Sequence, residues 1–185
     1  MIRNILLSVH SSIIFSSNNP EIYNLNSIKI NQKPTMEHIF PKCYMDKISH
    51  NDLHNIYRCN GDINNMRSNY KYIDFNDIIG DINDYKKFNN TKNFISIKNK
   101  LFIPEEESRG IIARTIMYIS YEYKYKYSKV IDTHNLIKWC LDYPPCKKEI
   151  NHNNDVFRIQ YKRNKFIDLY NKKNYKKYIK ELFYE

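Results

Sequence analysis

The stretch Met36-Glu37-His38-Ile39-Phe40-Pro41-Lys42, read with Asp52-Leu53-His54-Asn55 and Asn64-Asn65-Met66-Arg67-Ser68-Asn69-Tyr70 downstream, decides how this chain folds. An acid directly before a histidine on an ideal strand points its side chain to the opposite face, so both serve one site only at a bulge or strand end. Pro41, three residues after His38, predicts the strand end. The segment Asp52 to Cys59 reads as a second short extended piece. Asn60-Gly61-Asp62 supplies a turn able to open a helix at Ile63. Asn64 lies 26 residues beyond His38, on that helix, and its amide oxygen is a hard ligand suited to Mg2+ or Ca2+. Strand, turn and helix would bring these groups together.

Outward from this segment, the clearest helix follows Pro104. Glu105, Glu106 and Glu107 suit the positive end of its dipole, and Ile112, Ile116, Ile119 and Tyr123 recur at helical spacing. A second helix is predicted from Asp132 through Leu136, Trp139 and Cys140 to Pro144-Pro145, and a third over roughly 154–162. Residues 161–180 carry eight Lys or Arg against one Asp, a basic tail helix or arm extending toward residue 185. Ile28 and Ile30 suggest a short strand before Pro34. Phe75 to Lys100 is Asn-rich and reads as a long loop or insertion. Tyr118 to Tyr127 could stack bases, although at helical spacing about half of those rings belong to core or rim. The elements together are α+β.

Composition sets the limits of this reading. A length of 185 residues fits a single domain over 1–185. Thirty Lys and Arg against twenty Asp and Glu leave a net charge of +10, which favours a polyanionic partner. Ile, Asn, Lys and Tyr make up half the chain (28, 25, 23 and 17 residues), and these types share A/T-rich codons, so part of the lysine excess reflects base composition. Three glycines exclude glycine-rich nucleotide loops, and no stretch reaches the roughly 20 apolar residues of a membrane span. Met1 to Phe15 has the outline of a signal peptide with a polar interruption at His10-Ser11-Ser12. Cys43, Cys59, Cys140 and Cys146 can be paired or reduced. The compartment is left open between secreted or periplasmic and intracellular, with a lean toward the latter.

Six blocks carry a family likeness: Glu37 to Lys42, Asp52 to Tyr57, Asn64 to Tyr70, Phe102-Ile103-Pro104, Arg109-Gly110 to Ala113-Arg114, and Asn164 to Asp168. In this order, over about 36–168, they resemble the bacterial endonuclease I family of periplasmic and secreted nucleases. The resemblance implies a ββα-metal, or His-Me, finger embedded among helices, and a nonspecific endonuclease leaving 5′-phosphate ends. His38 matches the general base, and neutral imidazole is a competent base near pH 7. Glu37 and Asn64 match ligands of one divalent metal, the glutamate directly or through water. Mg2+ is expected, with Mn2+ or Ca2+ able to substitute. A cation opposite the metal would complete the phosphate clamp, and Arg114 and Arg67 are both candidates. Each has a structural alternative: Arg67 as a helix-stabilising ion-pair partner, Arg114 as anchor of an internal carboxylate. His54 and Asn69 are expected to support the site from behind, His54 as a buried histidine orienting the finger. Lys42, Arg109, Lys162, Arg163 and Lys165 are candidate contacts to the nucleic-acid backbone.

The expected partner is double-stranded DNA, with single-stranded DNA and RNA left open, and the protein is expected to be a monomer without stable membrane association. The chain departs from the family pattern in a shorter segment upstream of Glu37, in Cys43 where Ser is usual, and in 75–100. A competing class is a zinc-held nucleic-acid-binding module using Cys43, His50, His54 and Cys59, all within 17 positions. Their spacing matches no standard finger and leaves Glu37-His38 unexplained. A catalytically inactive relative is the third class, and the intact Glu37, His38 and Asn64 speak against it.

Overall fold

The computed structural model describes residues 21–23, 34–88 and 91–184, and in it the decisive segment folds as strand, strand and helix. Strand β2 (Thr35–His38) pairs antiparallel with β3 (Ile56–Cys59) in regular register, Glu37 opposite Tyr57 and His38 opposite Ile56. Strand β1 (Glu21–Ile22) joins β3 in parallel on its other side, which leaves β2 at the edge of a three-stranded sheet. No bulge is needed at Glu37-His38, because the strand ends at His38 and both side chains are buried.

Helix α1 (Gly61–Arg67) opens where the Asn60 side chain accepts from the N–H groups of Asp62 and Ile63, a full N-cap. It ends at Ser68, whose φ of 52° cannot continue a helix. The connection from β2 to β3 is built of single turns at Lys42–Tyr44, Ser49–Asn51 and Leu53–Asn55. The extended piece predicted over 52–59 is therefore a turn followed by a four-residue strand.

The core forms around α2 (Glu106–Tyr123), where Ile112, Ile116 and Ile119 are fully buried as their spacing predicts. Against it pack α3 (Thr133–Asp142) and the short α5 (Lys165–Asp168); α6 (Tyr175–Phe183) packs on α3, and α4 (Lys147–Gln160) on α5 and the Leu53–Asn55 turn. Trp139 on α3 has no exposed surface; a side chain of that size stabilises the fold by at least about 3 kcal/mol. Gly110 is where α2 meets the turn after α3. A Cβ there would stand 2.5 Å from the Tyr143 carbonyl and 2.7 Å from the Arg114 guanidinium, so only glycine permits this approach.

Two expectations are corrected. Phe75 to Lys100 is not a plain loop: β5 (Lys86–Lys87) and β6 (Phe94–Ser96) lie within it. With β4 (Lys71–Tyr72) and β7 (Leu101–Ile103) they form a second sheet of order β4-β7-β6-β5. Few Ile and Phe positions suffice because its small core uses Ile73, Tyr85, Leu101 and Ile103 from both ends of the segment. The third helix begins at Lys147, seven residues earlier than predicted, because Cys146 caps it by accepting from Glu149 N–H. The strand anticipated at Ile28 and Ile30 and the signal-like start lie outside the described residues. Among the described residues, no helix is long and apolar enough to cross a membrane.

Candidate active site

The end of β2 and the exposed side of α1 enclose an open cleft of about 420 Å3, lined by Glu37, His38, Lys42, Asn64 and Asn69 among others. Each side chain is set there by an identifiable contact. His38 presents Nε2 to the backbone carbonyl of His50 at 3.1 Å. A carbonyl can only accept, so Nε2 carries the proton and the lone pair of the neutral ring sits on Nδ1. Burial, reinforced by the charge of Lys42, pushes the His38 pKa down to about 3, so the ring is neutral at physiological pH.

Asn64, half-buried on α1, donates its amide hydrogens to Thr35 Oγ1 at 3.0 Å and the Met36 carbonyl at 3.1 Å. This leaves Oδ1 as the acceptor it offers the cleft. Glu37 is 2% exposed and accepts on Oε1 from Tyr23 at 2.9 Å and Arg67 at 2.7 Å. Burial pushes its carboxyl above the ordinary value, while the Arg67 guanidinium and the Tyr23 hydroxyl pull the other way.

The two arginines proposed as phosphate clamps are both buried in ion pairs, the structural alternative named for each, and of the two Arg67 lines the cleft. Arg67 is 1% exposed and donates to Glu37, to the carbonyls of His38 and Ser68, and to Ile39 O at 2.7 Å, with its guanidinium 4.5 Å from the centre of the Tyr72 ring. It fastens α1 to the end of β2 and, although nearly buried, lines the cleft beside Glu37 and His38. Arg114 does not reach the cleft: it forms a bidentate pair with Glu149 at 2.8 and 2.6 Å and donates to the Tyr143 carbonyl. Lys42, exposed at the first position of its turn, is a second cation on the cleft lining and the more exposed of the two.

The other candidates separate in the same way. Asn69 lines the cleft and approaches Cys43 Sγ at 3.5 Å. His54 is fully buried away from it, with Nε2 on the Lys162 carbonyl. Arg109 is buried against Asp74 and stacked on Trp139, which removes it from the backbone contacts. Lys162 pairs with Glu122, Arg163 pairs with Asp168 through two nitrogens, and Lys165 lies over Tyr121; none lines the cleft. The rings of Tyr118 and Tyr123 are tied to Asp52 by their hydroxyls.

The zinc arrangement does not assemble. Cys59 and His54 are buried and Cys43 is exposed, all four cysteines are free, and no three His, Cys, Asp or Glu converge among the described residues. One carboxylate beside one amide oxygen is a sparse hard-donor set, the kind Mg2+ uses because it retains much of its water.

Three supporting residues escaped the sequence reading. Tyr23, the residue after β1, holds Glu37, and its hydroxyl also contacts that of Tyr72. Asn55 clamps the chain just beyond His38, accepting from Phe40 N–H at 2.7 Å and donating to Phe40 O at 2.9 Å. Only Asn55 left a trace, standing in the Asp52-Leu53-His54-Asn55 block.

A sequence model of endonuclease I matches residues 6–170. The chain belongs to the endonuclease I family. Among curated members, the Endonuclease-1 of Buchnera aphidicola subsp. Acyrthosiphon pisum (strain APS) is 32% identical over 129 residues, covering 68% of this chain and 49% of that protein. The periplasmic deoxyribonuclease of Aeromonas hydrophila is 28% identical over 121 residues, covering 63% and 47%. An extracellular deoxyribonuclease of the same organism is equally similar, covering 63% and 48%. The chain thus spans about half the length of the endonuclease I relatives it matches, and its α+β fold is that of a family member carrying the Glu-His pair at the end of an edge strand.

Proposed function

We propose that this cleft hydrolyses the phosphodiester backbone of DNA without sequence preference, and that β2, β3 and α1 form a His-Me finger. The observation that carries the reading is His38: a neutral imidazole, its tautomer fixed by a main-chain carbonyl, on one cleft with Glu37 and Asn64. His38 Nδ1 takes a proton from the attacking water. The His50 carbonyl holds the opposite N–H as charge builds on the ring. Lys42 faces the non-bridging oxygens, with the Arg67 guanidinium beside Glu37 on the same cleft. Glu37 and Asn64 would hold one divalent cation, Mg2+ with Mn2+ or Ca2+ as substitutes, which when bound supplies charge neutralisation at the phosphate and at the departing 3′ oxygen. Departure of that oxygen leaves a 5′-phosphate. Contacts of this kind read the backbone, so little base preference follows. The names of the Aeromonas relatives support a secreted or periplasmic destination over the intracellular one.

The test is plasmid nicking in Mg2+. Wild type nicks and then linearises the plasmid, EDTA stops the reaction, and His38→Ala lowers the rate at least about 100-fold while DNA binding persists. Protein that binds the plasmid and leaves it whole in Mg2+, Mn2+ and Ca2+ overturns the reading.

A further inference from the structure

The cleft continues past Lys42. Cys43 also lines a second depression of about 470 Å3, walled by Phe40, Tyr44 and Tyr125 and edged by Lys126 and Lys129. A space of that volume is in the range of small-molecule sites. Its wall is rigid. The Tyr125 hydroxyl meets Asp46 N–H, the Asp46 carboxylate and Ser49 Oγ, and its ring lies 5.8 Å from Phe40 and 6.2 Å from Tyr123. Lys129 Nζ stands 5.7 Å from the centre of the Tyr44 ring. Both lysines are exposed, and neither has a carboxylate partner among the described residues.

Asp46 is the acid on this lining, and its oxygens are engaged. Oδ1 accepts from the N–H groups of Ile48 and Ser49 at 2.7 and 2.8 Å, and Oδ2 accepts from Tyr125. The two lysines outweigh its single charge. Rings beside unpaired cations are the combination that holds single-stranded nucleic acid, because every base has a π-face and every linkage a negative charge.

We propose that this depression is a nucleotide subsite continuous with the cleft. It holds one nucleotide flanking the scissile phosphate, its base against Tyr44 and Tyr125 and its phosphate on Lys126 and Lys129. The assignment of the flanking position rests on the nuclease reading above. Because stacking tolerates any base, the subsite adds affinity without adding sequence preference.

The test is binding of a fluorescent single-stranded oligonucleotide in EDTA, followed by anisotropy across a salt series, so that no cleavage enters. Lys126→Ala/Lys129→Ala should weaken binding roughly tenfold and reduce the salt slope by about 0.7 for each lysine removed. Tyr44→Ala should weaken it about threefold or more with the slope unchanged. The double variant Lys172→Ala/Lys173→Ala, in the exposed basic tail, is the control for charge alone. Unchanged binding in the Lys126/Lys129 variant overturns the subsite, and so does an equal loss in the Lys172/Lys173 control. Wild-type cleavage in Mg2+ is measured separately. Intact binding without cleavage defeats the nuclease reading and leaves the subsite standing.

Discussion

Among the described residues two arginines are buried to 1% exposure, each against a glutamate, and they are held in different ways. Arg114 meets Glu149 with two nitrogens on two oxygens, sealing α2 against α4 inside the helical layer. Arg67 meets Glu37 through one oxygen, and Tyr23 donates to that same Oε1, which leaves Oε2 outside both contacts. The rest of the Arg67 fork goes to main-chain carbonyls at the end of β2. A closed pair holds elements together. A pair engaged through one oxygen holds elements together and also presents a carboxylate to a cleft. Burial and ion pairing alone therefore do not separate an arginine inside the helical layer from one lining the cleft; these two pairs differ in how many carboxylate oxygens the arginine engages.

Replacing both members of each pair by apolar residues of similar size breaks the comparison most sharply. Arg67→Met with Glu37→Leu should abolish plasmid nicking, a loss of several orders of magnitude. Arg114→Met with Glu149→Leu should leave nicking within a few-fold of wild type and stability unchanged or raised by about 1–4 kcal/mol. Equal activity in the two double variants would remove Glu37 from the chemistry. Removing one partner has the next largest effect. Arg114→Ala leaves Glu149 buried and uncompensated and should cost about 3–5 kcal/mol in urea unfolding.

Gly110→Ala strikes the same helical anchor from the backbone side. Its methyl group would collide with the Tyr143 carbonyl and the Arg114 guanidinium, and a lower Tm equivalent to about 1–3 kcal/mol is expected, with nicking retained at low temperature. A substitution without effect on Tm would show that the turn at Tyr143 yields.

The smallest effect over the working range is on pH. His152 is buried against the Leu53 carbonyl, and burial, with His54 nearby, pushes its pKa down to about 3; burial lowers that of His54 as well. The unfolded chain takes up a proton near pH 6.5, and the folded chain does so only far lower. Stability is therefore full above about pH 6.5 and falls below it, by up to about 1.4 kcal/mol per pH unit for each histidine. His152→Asn should flatten that fall in a denaturation series, and an unchanged slope would assign it to other groups.

What was legible in the sequence follows the range of the forces involved. Local signals carried far: the Pro41 strand end, the Asn60 turn into α1, and the Ile112, Ile116 and Ile119 face of α2 appear where spacing and capping put them. The cluster of Glu37, His38, Lys42, Asn64 and Asn69 was legible because one strand and one helix suffice to gather it. The assignment of the arginines was not, since Glu149 lies 35 residues from Arg114 and Asp74 lies 35 from Arg109, and no local pattern pairs them. Tyr23, 14 residues from Glu37, was hidden for the same reason. The second sheet escaped because its strands have two or three residues, too few for alternation to show.

The hydrogen-bond partner of His38 Nε2 is the peptide carbonyl of His50, while the His50 imidazole meets the His38 ring edge-on at 6.4 Å. Arg67 grips the carbonyls of His38 and Ile39, and Asn55 grips both polar atoms of Phe40, in the same manner. Main-chain atoms are present whatever the codon. In a chain so rich in Ile, Asn, Lys and Tyr, a histidine whose tautomer is set by the backbone keeps that hydrogen bond through any side-chain change that preserves the turn at residue 50.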